Sequence, residues 1–421
     1  MQKKKALAMA IGAALLIPSV ALAQRSGKGD GPEPDSVVEL YGKVYPEVIR
    51  PSSSGATTPT ADTVATSSSY CTICVRPAGA NAIVSRYEME SSNSRIGFRG
   101  AERLGQELRA IWQMETGFLL DSNNTAFAQR DSFVGLQHKR WGTVKLGRMD
   151  TPFKEFGDDI AFLGVSSGNF TSSSSVNRNV GFGTQNSAAR FHERRVNVVQ
   201  YESPKLGPAE FKVQWSTNEA KTDVPPLRDP HVLSMGGRFE LGGGFELLMG
   251  HEIHWDLFGL SANSPSAMRN TTDPNVRSRD KATEVALKYK VGVHQFEIDA
   301  NQMRYDEPGA IVAGRVRGYR QNHYEFLWEA RWTPQWRTSV QYVRATPGTC
   351  TRVAADCNTN GLKGEQFGVG FAYMFSPRTY LFVMATYLKN DFAANYSNEN
   401  AQFPNPGEDI KQIGMGLHTA W

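Results

Sequence analysis

Residues 130–159, RDSFVGLQHKRWGTVKLGRMDTPFKEFGDD, read as a strand, a tight turn, a second strand and the start of a long polar loop. Phe133 opens the apolar run FVGL, which stops at the charged QHKR, and Trp141-Gly142 turns the chain. Val144 and Leu146 then alternate with Lys145 and Gly147. A period of two is the mark of a strand with two unlike faces. Beyond Arg148 the alternation ceases for about forty residues, in a segment that opens with Asp150, Thr151 and Pro152 and carries Glu155, Asp158 and Asp159. A loop of that length in an otherwise regular β chain is usually functional.

The same alternation recurs along the chain. Val38 and Leu40 oppose Glu39, Tyr41 and Lys43; Ile96 and Phe98 oppose Arg95, Gly97 and Arg99; Trp112 and Met114 oppose Gln113 and Glu115. It returns around Phe211–Trp215, Val285–Tyr289, Phe296–Ile298, Phe326–Trp328, Phe367–Phe375 and Ile413–Leu417. Short connections such as 241–244, 291–292, 333–335 and 376–378 take turns with long ones such as 256–280, 306–317, 346–364 and 390–409. Short turns at one end and long loops at the other are the pattern of a transmembrane barrel. About sixteen strands are expected, the last pairing with the first, because in lipid only closure satisfies every backbone group. Trp332, Trp336, Phe375 and Tyr380 flank short turns, where an aromatic girdle is expected. The segment 51–69, within a long loop at about 50–84, is rich in Ser, Thr, Ala, Gly and Pro and reads as loop throughout.

Lys3, Lys4 and Lys5, the apolar run from Ala6 to Leu16 and Ala21-Leu22-Ala23 form the three regions of a secretory signal peptide over 1–23. Residues 24–421 then read as one domain. The chain has 46 basic and 42 acidic residues; without the three leader lysines the balance is 43 to 42, which gives no case for nucleic acid. A mean hydropathy of -0.42 is compatible with a barrel whose strands present only alternate residues to lipid.

Five stretches carry a family resemblance: SRIGFRG (94–100), LRAIWQMETGF (108–118), RDSFVGLQ (130–137), WGTVKLGRMDTP (141–152) and RRVNVVQYESP (194–204). In order and spacing they resemble the Gram-negative general porins of the betaproteobacterial type. The resemblance implies an all-β fold: a trimeric, 16-stranded outer-membrane barrel narrowed by an inward-folded third loop, here about 150–190. It also implies a basic ladder on the barrel wall facing acids on that loop. Lys43, Arg95, Arg99, Arg130 and Arg195 fill the first role, by strand face or family position, and Glu155, Asp158 and Asp159 the second. A charge facing lipid at mid-depth costs about 2–4 kcal/mol, so the lumen is the natural place for the basic residues. Arg148, at a strand end, is left out of this set. The ending IGMGLHTAW resembles the terminal strand read by the outer-membrane assembly machinery, with Trp421 where the family usually has Phe.

Other motifs carry less. Gly164-Val-Ser-Ser-Gly168 fits a nucleophile elbow but lacks the strand before and the helix after. His251 and His254 are three apart, which on a strand puts them on opposite faces, so no metal site is expected. Cys71 and Cys74, and Cys350 and Cys357, read as loop disulfides in an exported protein, with pairing between the two loops left open. The expected function is a passive channel for small hydrophilic solutes and ions, without cofactor or enzymatic activity. Its partners would be two further copies of the chain, outer-membrane lipid and lipopolysaccharide. The competing readings are a substrate-selective channel, a barrel enzyme using Ser166 or Ser167, and an adhesin or receptor working through 51–82. Charge signs around the constriction leave cation or anion preference open.

Overall fold

The computed structural model describes residues 36–58, 70–75, 79–91, 93–120, 127–157, 170–217 and 219–421. The expected leader, Asp158, Asp159, Ser166 and Ser167 lie outside them. Among the described residues sixteen antiparallel strands form one sheet, three of them in two segments. In chain order they begin with β1 (Ser36–Val44 and Glu47–Ser54), β2 (Glu88–Glu90 and Arg95–Arg103), β3 (Leu108–Gly117), β4 (Ser132–His138) and β5 (Gly142–Asp150). Then come β6 (Arg194–Glu202), β7 (Ala209–Thr217), β8 (His231–Gly242), β9 (Phe245–Trp255), β10 (Arg279–Val291) and β11 (His294–Asp306). The last are β12 (Val316–Arg331), β13 (Trp336–Ala345 and Thr349–Arg352), β14 (Gly364–Met374), β15 (Thr379–Asn390) and β16 (Asp409–Ala420). Each strand pairs with its neighbours in sequence, and β16 closes the barrel on β1, with Lys43 opposite Ala420 and Ile49 opposite Gly414.

The two faces of the strands explain the closure. Ile298 is 59% exposed on β11, whereas its neighbours Glu297 and Asp299 are 0% and 1% exposed. Phe367 and Gln366 on β14, and Ile413 and Gln412 on β16, repeat the contrast of exposed apolar and buried polar. Apolar residues outside and polar residues inside suit a wall between hydrocarbon and a wet lumen. Gly142, at φ +82°, makes the turn into β5; a Cβ there would lie 2.2 Å from the Glu202 carbonyl. Trp332, Trp336 and Phe375 are exposed near the short turns, as a girdle requires. Tyr380 is not part of it: Leu381 takes the outer face, and Tyr380 is buried, stacked on His418 at 4.5 Å.

The loop expected from Pro51 onward begins later. β1 runs to Ser54, paired with β16 through Asp409. The β2 segment Glu88–Glu90 reaches only Ile49, so beyond it β1 is an edge strand, the place in a sheet where proline is tolerated. The cysteines form Cys71–Cys74 and Cys350–Cys357 disulfides, with no free thiol. The two loops also touch: the Thr72 N–H donates to the Asn358 carbonyl, and the Asn358 N–H to Thr72 Oγ1, both at 2.9 Å.

Candidate functional site

The loop after β5 enters the barrel. Its first turn is a short helix, Pro152–Gly157, with Phe153 and Phe156 buried. They seat where β8 and β9 have no side chains: Gly236 and Gly250 are register partners. A Cβ on Gly236 would lie 2.6 Å from the Phe156 ring, and one on Gly250 3.1 Å from that of Phe153. Farther along, Arg178 is fully buried and grips Glu284 of β10 through two hydrogen bonds, at 2.9 and 2.5 Å. Its guanidinium also donates to the Gly157 carbonyl, joining the loop's first described part to its second. Asn177 donates to Glu325 of β12 at 2.7 Å. Phe170 packs over Gly414 of β16, and the Asn398 side chain donates to the Phe170 carbonyl at 2.8 Å. The loop is thus fastened to β8–β10 at one side and to β16 and the 391–408 loop at the other.

Between the loop and the wall lies a cavity of about 780 Å³. Its basic lining residues are Arg95, Arg130, Arg148, Lys154, Arg190 and Arg194. Its acids are Glu115, Asp131, Asp150, Glu155, Glu193 and Glu399. Most are paired. Glu115 sits between Arg130 at 2.5 Å and Arg95 at 3.7 Å, and takes a hydrogen bond from Tyr41 at 3.0 Å. Arg194 bridges Asp131 at 2.5 Å and Asp150 at 2.9 Å, and Lys154 reaches Asp150 at 3.1 Å. Glu155 pairs with Lys212 at 2.9 Å, which continues to Glu202 at 3.5 Å and so to Lys145. Arg148 differs: among the described residues it has no ion-pair partner, and its Nε is buried without an acceptor.

Of the residues expected from sequence, Arg95, Arg130 and Glu155 line the cavity together. Lys43 is the register partner of Arg95 and lies 9% exposed beside them. Arg99 is elsewhere on the inner wall, bound to Glu39 at 2.8 Å and half exposed. Arg195 is turned behind the loop, donating to His254 at 3.1 Å. The carboxylates Glu115 and Asp131 stand among the arginines, so the wall is a mixed belt of charge and not a purely basic ladder.

Arg148 was hidden by a local irregularity. Strict alternation puts it on the Val144–Leu146 face, toward lipid. The β5–β6 register shifts between Gly147 and Met149, with Gly147 at φ +150° and Asn197 at φ +54°. A bulge of this kind re-aims a side chain, and Arg148 lines the cavity.

Electrostatics within the loops follow burial. Desolvation pushes the Glu155 carboxyl up, against the pull of Lys212. His192 is held well below its usual value by burial first, then by Lys154, Arg178, Arg190 and Arg194, so its ring is neutral. Burial, with Glu88 alongside, lifts the Glu399 carboxyl to about 7.

A family model described as Gram-negative porin matches residues 6–393. Major outer membrane protein P.IB of Neisseria sicca is 27% identical over 316 residues, 72% of this chain and 80% of that protein. P.IB of Neisseria gonorrhoeae is 32% identical over 132 residues, which is 31% of this chain and 34%, about a third, of the relative's own length. Among solved structures, an anion-selective porin from Comamonas acidovorans superposes with a TM-score of 0.66 at 19% identity, covering 92% of this chain and all of that one. OmpT of Vibrio cholerae, expressed in the outer membrane, gives a TM-score of 0.59 at 12% identity over 93% of this chain and 99% of its own. These likenesses concern fold, and family and fold together point to a channel rather than an enzyme.

Proposed function

The chain belongs to the Gram-negative porins and is a protein of the bacterial outer membrane, and on that premise we propose that it forms a water-filled channel for passive diffusion of small hydrophilic solutes and ions. The observation that carries the reading is the cavity held open beside the inward loop, with six basic and six acidic side chains among its described lining residues. Charges facing each other across a narrow, low-dielectric passage create a field that orients polar solutes, and rings of charge tune ion selectivity. We read the mature protein as a single barrel domain after removal of 1–23, acting without catalysis. It works as a homotrimer among outer-membrane lipid and lipopolysaccharide, delivered by the assembly machinery that reads the strand ending at Trp421.

Within this reading the passage favours anions. Glu155 and Glu399 hold protons more readily than ordinary carboxylates, whereas Arg148 lines the cavity without an ion-pair partner among the described residues. The test is single-channel recording in a planar bilayer with a tenfold gradient of potassium chloride. Discrete conductance steps with a reversal potential of the sign set by chloride support the reading. Absence of steps from folded protein refutes the channel, and a potential of the opposite sign refutes the preference.

A further inference from the structure

We propose that Lys281, Arg304 and Arg320 form a binding row for the phosphate of an outer-leaflet lipid, whose acyl chain lies in an apolar groove beside it. The three residues stand on the consecutive strands β10, β11 and β12 as register partners, Lys281 with Arg304 and Arg304 with Arg320. They are on the outer face, in step with the exposed Leu287, Ile298 and Phe326. Like charges directly opposite each other on neighbouring strands are destabilising, and an anion seated on the row offsets that. Among the described residues Lys281 and Arg320 have no ion-pair partner, and Arg304 has Asp306 alone, at 2.7 Å. Asp306 also faces Arg279, which lies over the Trp255 ring at 5.8 Å, so the surface around the row stays positive.

The height of the row fits this occupant. Below it come a polar row, Thr283–Gln302–Asn322, and the apolar rows Val285–Ala300–Tyr324 and Leu287–Ile298–Phe326. Last is an aromatic row, Tyr289–Phe296–Trp328, beside the short turns. Lys281 is eight residues up the strand from Tyr289, which at about 3.3 Å per residue and a tilt of about 40° is about 20 Å. Lys and Arg side chains snorkel farther up, to the edge of an apolar band about 25 Å tall. The row stands at the end that carries the long loops 256–278 and 307–315, so the leaflet is the outer one.

The groove is an independent observation. It runs over β7–β10 with a volume of about 600 Å³, and Phe211, Val213, Met235, Phe239, Leu247 and Met249 line it. Gly237, between its register partners Phe211 and Met249, has no side chain and so opens a slot in this wall. At the upper end the groove meets His251 and Thr283, hydrogen-bonded to each other at 2.8 Å. Thr283 is two residues below Lys281 on the same face of β10. An acyl chain in the slot therefore delivers its headgroup to the row, whereas free phosphate has nothing to place there, which commits the site to a lipid. The inference rests on the barrel lying in the outer membrane and not on its conducting.

Full-length protein, folded in a nonionic detergent with a chelator present to exclude divalent bridges, is titrated with diphosphoryl lipid A and followed by native mass spectrometry. Saturable binding is expected. Lys281→Gln combined with Arg320→Gln should weaken it at least about tenfold, while the unboiled protein keeps its folded electrophoretic mobility. Lys389→Gln combined with Lys411→Gln removes the same charge from exposed positions on β15 and β16 and should leave the affinity unchanged. Inorganic phosphate in excess should not displace the lipid. No saturable binding by the wild type overturns the proposal. Equal weakening in the two double variants overturns it too, because the attraction would then belong to the surface charge at large. Displacement by inorganic phosphate overturns the lipid as occupant.

Discussion

Arg178 and Glu284 are locked to each other by two charge-assisted hydrogen bonds, at 2.9 and 2.5 Å, with their side chains 0% and 2% exposed. One sits on the inward loop and the other on the barrel wall, so this pair is the main rivet between them. Removing one partner of a buried pair strands the other charge and typically costs about 3–5 kcal/mol. Glu284→Ala is therefore expected to loosen the loop, with faster hydrogen exchange at residues 174–178 and a noisier open-channel current. Arg178→Met combined with Glu284→Met should be less harmful than either single change. Additive losses in that cycle would mean that the pair is not coupled.

Replacing Arg148 by Gln is expected to move the reversal potential toward cation preference. The shift should exceed that of Arg99→Gln, because Arg99 is neutralised by Glu39 and lies off the cavity lining. Salt should shrink it, since the Debye length falls from about 10 Å at 0.1 M to about 3 Å at 1 M. Equal shifts for the two variants would remove Arg148 from the constriction.

The raised carboxyl of Glu155 sets a pH window above the ordinary value of 4.5. As pH falls through that window Glu155 takes up a proton, negative charge leaves the cavity, and anion preference should rise. Glu155→Gln is expected to show the acidic behaviour already at pH 7.5 and to flatten the profile. A Gln variant with an unchanged profile assigns the titration to another group.

Gly236→Leu should displace the Pro152–Gly157 helix without unfolding the barrel. Its Cβ would meet the Phe156 ring at 2.6 Å and the Pro152 carbonyl oxygen, part of the backbone, at 2.9 Å. Overpacking of this kind commonly costs about 1–3 kcal/mol. The measurement is conductance beside heat-modifiable mobility: a changed conductance with retained mobility is expected.

Much of the barrel was legible in the sequence because it is written in a period of two. Ile298, Phe367 and Ile413 are apolar for lipid, and their polar neighbours for water, so each strand announces its own faces. The failure of that period after Arg148 marked a long loop, and the family resemblance supplied its inward fold. What the pattern does not encode is depth and irregularity. Arg95 and Arg99 share a face, yet only Arg95 lines the cavity, since alternation says nothing of height along the strand. Arg130 falls before β4 and reaches the cavity from a loop, where parity has no meaning. The bulge beside Arg148 goes with Gly147 at φ +150° and Asn197 at φ +54°, residue types that tolerate such backbone but do not by themselves fix where the register shifts. Pro51 reads as a strand breaker until the missing neighbour beside it is known.

A barrel wall is a hoop one residue layer thick, and hoops yield by flattening. Phe153 in its glycine notch and Arg178 on Glu284 fix the inward loop to one arc, while Phe170 over Gly414 and its bond from Asn398 fix it to another. A strap joined to a ring at two distant points is a tie-bar. A loop so joined is expected to brace the ring against the lateral pressure of the bilayer. Shortening it to widen the passage would exchange permeability for a softer ring.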